Sequence, residues 1–292
     1  MDLRKYVYNN HWTLGFSEDN LEEIVNGIQP TFHWMKNPYN NRWFADPFIL
    51  DVTDEYIWVL VEEYYDPIKR GRISKLTVNR HNYQLEKIDV VLELPTHLSF
   101  PVIKRIGGDI FIYPENGASN QLNLYKYNPF SNECKKERTL AKGYLADAII
   151  TDLFGKELMF TTMVPNHNGK ELLVYTEEDG HYKKKGEISF ESNIARNAGD
   201  WFLLNNKVYR PCQDCNERYG GAVILQEVLK SDDCFSFHEV NTINASYKSY
   251  QLGCHTFNNY KGLIVIDVNG YRRPFLAKTV GAIMRIVRFV IK

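Results

Sequence analysis

Neither sign of charge dominates this sequence: 35 Lys and Arg stand against 36 Asp and Glu, a net charge of −1. That balance supplies no bulk attraction to polyanions, and no nucleic-acid partner is expected. Long apolar runs are missing as well. No stretch approaches the ~20 residues of a membrane-spanning helix, and the opening MDLRKYVYNNHW has no run of signal-peptide length. Cysteine is scarce and odd in number, at five, which is not a disulfide framework in a chain of this size. A reducing, cytoplasmic setting is therefore expected. Cys212 and Cys215 form one CxxC, but a structural zinc site wants four ligands and there is no second pair. The βαβ pattern of a redox CxxC is absent too, so these thiols read as buried packing. The glycine turns IGGD and RYGG lack phosphate-loop spacing. No cofactor is expected from these motifs.

Aromatic residues are plentiful, with 19 Tyr and 16 Phe. They suit pleated, half-buried strands, and their flat faces also suit sugar rings. A phrase then recurs five times: ADPFILDVTDEYIWVLVEEYYD, SFPVIKRIGGDIFIYPENGAS, ADAIITDLFGKELMFTTMVPN, ARNAGDWFLLNNKVYRPCQD and CHTFNNYKGLIVIDVNG. Each copy has a small or sulfur-bearing residue, a distinctive residue, a short apolar strand, a polar turn and a second strand, which is a hairpin signal. The distinctive residues are Asp46, Phe100, Asp147, Arg196 and His255, spaced by 54, 47, 49 and 59 residues. Further strand-like runs such as QLNLYKYN and a more polar fourth run such as YKKKGEISF follow the hairpins. About four strands per repeat of this length is the layout of a propeller blade. The expected fold is all-β: a five-bladed β-propeller over 43–277, an accessory segment over 1–42 and a C-terminal amphipathic helix over 278–292. A hairpin solenoid, the rival layout, would line the five residues up in a row; the propeller gathers them at its hub. SEDNLEEIVNG predicts a short N-terminal helix capped by Ser17 and stopped at Gly27.

Asp46 and Asp147 bring two carboxylates to the hub. Glu62, Glu63 and Glu115 end second strands, at the expected funnel mouth. Glu62 and Glu63 cannot both face inward, because strand neighbours point opposite ways; Glu63 is taken as a substrate contact. A carboxylate can deprotonate a hydroxyl while cations stabilise a departing phosphate. Arg196, Arg210 and Arg218 are candidates for that phosphate, with Arg70, Arg72 and Lys75 nearby in sequence. Structural roles compete at each position. Asp46 before Pro47 could close a turn, Asp147 and Arg196 could be a buried ion pair, Arg218 could pin a loop, and His255 could be a core histidine or the ligand of a metal on the axis.

The phrases RWFADPFIL, HLSFPVI, VYRPCQDCNERYG and CHTFNN resemble the five-bladed propeller that forms the N-terminal part of plant glucosamine inositolphosphorylceramide transferases and its bacterial relatives. The resemblance runs from about Trp43 to about Asp267. That propeller is similar to family-43 glycosidases, where an Asp in an ADP phrase is the general base, and Asp46 matches it. The resemblance implies a carbohydrate-active propeller of surface polysaccharide or glycolipid synthesis, and the expected activity is that of a glycosyltransferase using a phosphate-bearing sugar donor. Asp46, Glu115 and Asp147 would be catalytic. Glu63, Arg196, Arg210, Asp214, Arg218, Tyr219 and His255 would contact an activated sugar donor and a glycan or lipid-linked acceptor. Phe100 departs from the acidic residue that a glycosidase needs in the second blade. The plant proteins carry a transferase domain after the propeller, so their activity does not transfer with the propeller alone. A glycosidase and a non-catalytic glycan-binding propeller remain the alternatives. The tail KTVGAIMRIVRFVIK places Arg285, Arg288 and Lys292 on one helical face. It fits an interfacial helix at the inner face of a membrane or a helix packed on the propeller flank.

Overall fold

The computed structural model describes residues 10–232, 234–247, 250–271 and 279. The helix expected over 278–292 lies outside these apart from residue 279. Among the described residues no helix is long and apolar enough to cross a membrane.

The described chain opens with β1 (Asn10–Ser17), α1 (Leu21–Val25) and β2 (His33–Trp34). Four blades follow, each a meander of antiparallel strands. The first holds β3 (Arg42–Val52), β4 (Tyr56–Tyr65), β5 (Arg70–Asn79) and β6 (Leu85–Leu92). The second holds β7 (Ser99–Ile106), β8 (Asp109–Glu115), β9 (Gln121–Asn128) and β10 (Glu133–Lys142). The third holds β11 (Leu145–Thr151), β12 (Leu158–Met163), β13 (Glu171–Glu178) and β14 (His181–Ser189). The fourth holds β15 (Phe202–Leu204), β16 (Lys207–Asp214), β17 (Ala222–Ser231) and β18 (Cys234–Asn244).

The fifth blade corrects the division of the chain. Its inner strands are β19 (Phe257–Tyr260) and β20 (Leu263–Tyr271), and β1 and β2 complete it in the order β19-β20-β1-β2. β1 pairs with β20 from Asn10↔Tyr271 to Ser17↔Ile264. The described part of segment 1–42 is therefore not an accessory to the wheel: β1 and β2 belong to its fifth blade. The helix cap is also corrected. Asn20 caps α1 by accepting from Glu22 N–H at 2.9 Å, while Ser17 ends β1.

Burial explains the sequence of each blade. Both faces of an inner sheet meet a neighbouring blade, so apolar residues fill both. Ile57, Val59 and Val61 of β4 pack with Leu14 and Val265 of the fifth blade, while Leu60 packs with Phe100 and Val102 of the second. Outer strands face water on one side, and β10 and β14 are correspondingly charged and exposed.

Candidate functional site

The recurring distinctive residue sits on a recurring kink. In β3, β7 and β11 one extra residue is inserted after Ala45, Ser99 and Ala146, where the register to the next strand shifts. The residue that follows has a left-handed backbone: φ is 50° at Asp46, 45° at Phe100 and 46° at Asp147. Such bulges bend a strand and redirect side chains. Aspartate tolerates this conformation, whereas a bulky residue there needs external support. Phe100 finds it in burial and in an edge-on contact with Phe48 at 5.0 Å.

Each bulged N–H donates to a carboxylate of the preceding blade. Asp46 N–H donates to Asp267 Oδ2 at 2.9 Å, Phe100 N–H to Asp46 Oδ2 at 3.0 Å, and Asp147 N–H to Glu115 Oε2 at 2.9 Å. The hub carboxylates thus bridge neighbouring blades. Thr256 Oγ1 donates to Asp46 Oδ1 at 3.0 Å. Arg196 grips Asp147 with Nε at 2.5 Å and Nη2 at 3.3 Å, and lies 3.5 Å from Glu115. The structural role expected for Asp147 and Arg196 is thus present in the geometry.

A cavity of about 350 Å³ opens above this hub. Asp46, Glu62 and Glu115 bring carboxyl groups to its wall, and His97, Arg196 and Tyr219 line it as well. His167 and Asn168 reach it from the loop after β12, and Asn168 Oδ1 accepts from Arg196 at 2.9 Å. Tyr219 lies over the Arg196 guanidinium at 5.0 Å and edge-on to His255 at 5.3 Å.

Burial, then the neighbouring Asp147, pushes the Glu115 carboxyl up to about 8. Burial likewise raises Asp46 to about 7, although His255 opposes it. His255 is buried, which disfavours its charge, yet Asp267 and Asp46 override that and raise its pKa to about 9. It pairs with Asp267 at 2.8 Å and stacks on Trp12 at 3.9 Å. Glu62, 3.1 Å away, holds the His97 imidazolium above its ordinary range against the opposing effect of burial. Burial and then Arg196 lower His167. Every cation of this cluster, among the described residues, therefore has a carboxylate partner.

Asp46, His255 and Asp267 place three potential metal ligands within 4.8 Å of one another. Asp267 already accepts N–H groups from His255 and Thr256, both at 3.0 Å, through Oδ1. Its Oδ2 accepts from Asp46 and His255. The donor set is saturated by protons, so a cation would have to displace the His255 proton rather than fill a gap.

The sequence-based site divides accordingly. Asp46, Glu115, Arg196 and Tyr219 line the cavity, and Asp147 and His255 lie beside it in the hub. Glu63 does not reach it: fully buried, it accepts from Arg42 at 2.7 Å, Arg72 at 2.9 Å and Ser74 at 2.6 Å. Its neighbour Glu62 faces inward instead. Arg210 is also fully buried, bonded to Asn197 at 3.1 Å, Gln226 at 2.9 Å and Ala195 O at 2.5 Å, beneath Phe190 and Phe237. Arg218 reaches Leu252 O at 3.4 Å on the surface, and Asp214 closes a turn onto Asn216 at 3.0 Å. Arg70 and Arg72 pair with Glu93 at 3.3 and 2.7 Å, and Lys75 bonds Pro129 O at 3.0 Å. Sequence reasoning placed Glu62 at the mouth but chose Glu63 over it, and it missed His97 and Asp267. For Asp267 a signal existed: it is the one ionisable residue inside the apolar strand LIVIDVNG.

A family model described as glucosamine inositolphosphorylceramide transferase 1, N-terminal, matches residues 23–268. The transferase of that name from Arabidopsis thaliana is 28% identical over 259 residues, which cover 84% of this chain and 33% of the relative. The protein of that name from Oryza sativa subsp. indica is 25% identical over 201 residues, covering 66% and 27%. The chain thus spans about a third of the length of these curated relatives. Among solved structures, a thermostable family-43 glycoside hydrolase superposes with a TM-score of 0.55 at 11% identity, covering 79% of this chain and 86% of that one. Bacteroides ovatus Xyloglucan PUL GH43B gives 0.54 at 11%, covering 74% and 49%. At such identities the likeness shows the propeller fold alone.

Proposed function

Because the chain belongs to the family of the N-terminal domain of glucosamine inositolphosphorylceramide transferase 1, we propose that it is a carbohydrate-active propeller serving sugar transfer, and that its funnel receives a sugar by its hydroxyl groups. The observation that carries this reading is the convergence of Asp46, Glu62 and Glu115 on one cavity of about 350 Å³. Carboxyl, imidazole and amide groups around such a space match the two-way hydrogen bonding of sugar hydroxyls. On this reading Asp46, raised to about 7, acts as the base, since a general base works best with a pKa near the operating pH. Glu115 carries the proton, and Asp147 fixes Arg196 beside it.

Phosphate of an activated donor stays outside the funnel on this reading. Arg196 is held by Asp147 and Glu115, and Arg210 and Arg218 do not reach the cavity. A hydrolase reading draws on the same raised pair, Asp46 and Glu115, because glycoside cleavage uses two carboxyl groups in different protonation states; Phe100 in the second blade weighs against it.

The test is calorimetric binding of a monosaccharide panel, with turnover assays on sugar nucleotides and glycan acceptors. Glu115→Gln is expected to weaken sugar binding about tenfold, roughly 1.4 kcal/mol. Asp46→Asn is expected to bind sugar and to lose turnover. Sugar binding indifferent to Glu115→Gln, or transfer that survives Asp46→Asn, removes the funnel from the reaction. Full binding without turnover in the unsubstituted protein identifies a glycan-binding module instead.

A further inference from the structure

A second cavity of about 350 Å³ lies in the fifth blade, away from the funnel. Its wall combines His11 and Thr13 of β1 with Asn37, Tyr39 and Asn40 from the segment before β3. Tyr247 and Tyr250, which follow β18, line it too, together with Met35 and Lys36. The three tyrosines supply flat apolar faces, and the amides and hydroxyls supply donors and acceptors beside them. That mixture is what a sugar ring presents in complement: an apolar C–H face bordered by hydroxyls that donate and accept. The wall is preorganised. Tyr250 stacks on Tyr247 with centroids 5.7 Å apart, Tyr247 stacks on Trp34 at 4.4 Å, and the Tyr250 hydroxyl bonds His11 Nδ1 at 3.0 Å. Asn37 adds an unused donor. Its Oδ1 accepts from Tyr39 N–H at 2.9 Å, while its Nδ2 is buried with no acceptor. Buried amide donors without partners cost free energy, and an acceptor in the cavity that Asn37 lines would remove that cost.

Two stacks on β3 and β4 border the two cavities. Tyr39 lies under Arg42 at 4.8 Å, and Arg42 lies over Tyr65 at 4.5 Å. Trp43, next to Arg42, stacks on Tyr64 at 4.9 Å with planes 4° apart. Tyr64 meets His97 at 6.5 Å, and His97 lines the funnel. Arg42 and Trp43 are strand neighbours and point to opposite faces of β3, so the first stack borders the outer cavity and the second reaches the funnel.

From these juxtapositions we infer a second carbohydrate subsite in the cavity of Asn37, Tyr39 and Tyr250, which holds a further unit of the glycan whose reacting unit occupies the funnel. This inference rests on the sugar reading of the funnel. The chemistry recognised is a pyranose or furanose, stacked on tyrosine and hydrogen-bonded by amide groups.

Amide and aromatic NMR spectra of the isotope-labelled full chain test it, titrated separately with glucose, galactose, xylose and N-acetylglucosamine. At least one sugar is expected to shift signals of Tyr39, Tyr247 and Tyr250 as well as those of the funnel. In the double variant Asn37→Ala, Tyr39→Ala the outer shifts should vanish while the funnel shifts persist. In Glu115→Gln the funnel shifts should weaken and the outer ones remain. If none of the four sugars moves the outer tyrosines of the unsubstituted protein, the subsite does not exist. Outer shifts that survive the double variant overturn it as well. Outer shifts without funnel shifts keep the subsite as a sugar site and overturn the funnel reading alone.

Discussion

Asp46 accepts the Phe100 N–H on one oxygen and the Thr256 hydroxyl on the other, so it ties three blades together while facing the cavity. A residue with both duties leaves a pH signature. The folded state holds a proton on Glu115 up to about 8 against an ordinary 4.5, so its contribution to stability declines as pH rises between those values. His255 is charged up to about 9 against 6.5; the stability from its pairing is complete below 6.5 and is lost as pH climbs through 9. Asp267 is held below its ordinary value by His255 against the opposing effect of burial, so its share is lost only on acidification. The melting temperature should therefore fall between pH 6.5 and 9. Glu115→Gln should flatten the decline below pH 8 and keep the part due to His255. A flat profile in the unsubstituted protein, measured by calorimetry across that range, would contradict these protonation states. At this scale the sequence revealed Asp46, Asp147, Arg196 and His255 because a repeat marks equivalent positions. It could not choose between Glu62 and Glu63, since alternation fixes that they face opposite ways but not which way. Nor could it tell Arg210, folded under aromatic rings inside a blade, from an arginine at the mouth.

Among the elements, the inner strands carry the site because their bulges aim it. The bulge recurs in three blades even where its residue is Phe100, so the left-handed backbone belongs to the architecture and the carboxylates use it. The strands and their order were legible, since hairpin turns and apolar runs repeat. The bulges were not: both faces of these strands are buried around the insertion, so an apolar run carries no alternation in which a one-residue insertion would show. Asp147 gives the sharpest test of an element held by its hub. It accepts from Nε and Nη2 of Arg196 and from Gln213 at 2.7 Å. Asp147→Ala would leave a buried guanidinium whose remaining carboxylate partner, among the described residues, is Glu115 at 3.5 Å, with only the neutral Asn168 amide closer. Removing one partner of a buried pair costs ~3–5 kcal/mol, and urea unfolding should show a loss of that order. A loss under ~1 kcal/mol, the value of exposed pairs, would mean that Arg196 finds solvent and that the third and fourth blades do not depend on this contact.

The whole wheel is closed by the residues the sequence made least of. β1 and β2 carry no copy of the recurring phrase, and they precede the first copy, so nothing in the repeat assigns them to the fifth blade. Yet Leu14 and Phe16 are fully buried against Val265, and Trp12 supports His255 at the hub. The N-terminal strand thus couples closure of the ring to the geometry of the site. Without β1, the backbone of β20 from Ile264 to Tyr271 would become an open edge, and exposed apolar edges pair with other chains. Trp12→Ala separates the two roles, because it deletes the ring beneath His255 and leaves the main-chain pairing of β1 intact. Deleting residues 10–17 should abolish the soluble monomer. Trp12→Ala should keep the monomer, lower its stability by ~3–5 kcal/mol as large-to-small changes in a core do, and impair sugar binding in the funnel. Size-exclusion chromatography and calorimetry read both outcomes. A monomeric deletion variant with native melting would show that the first and fifth blades hold the ring without the strand.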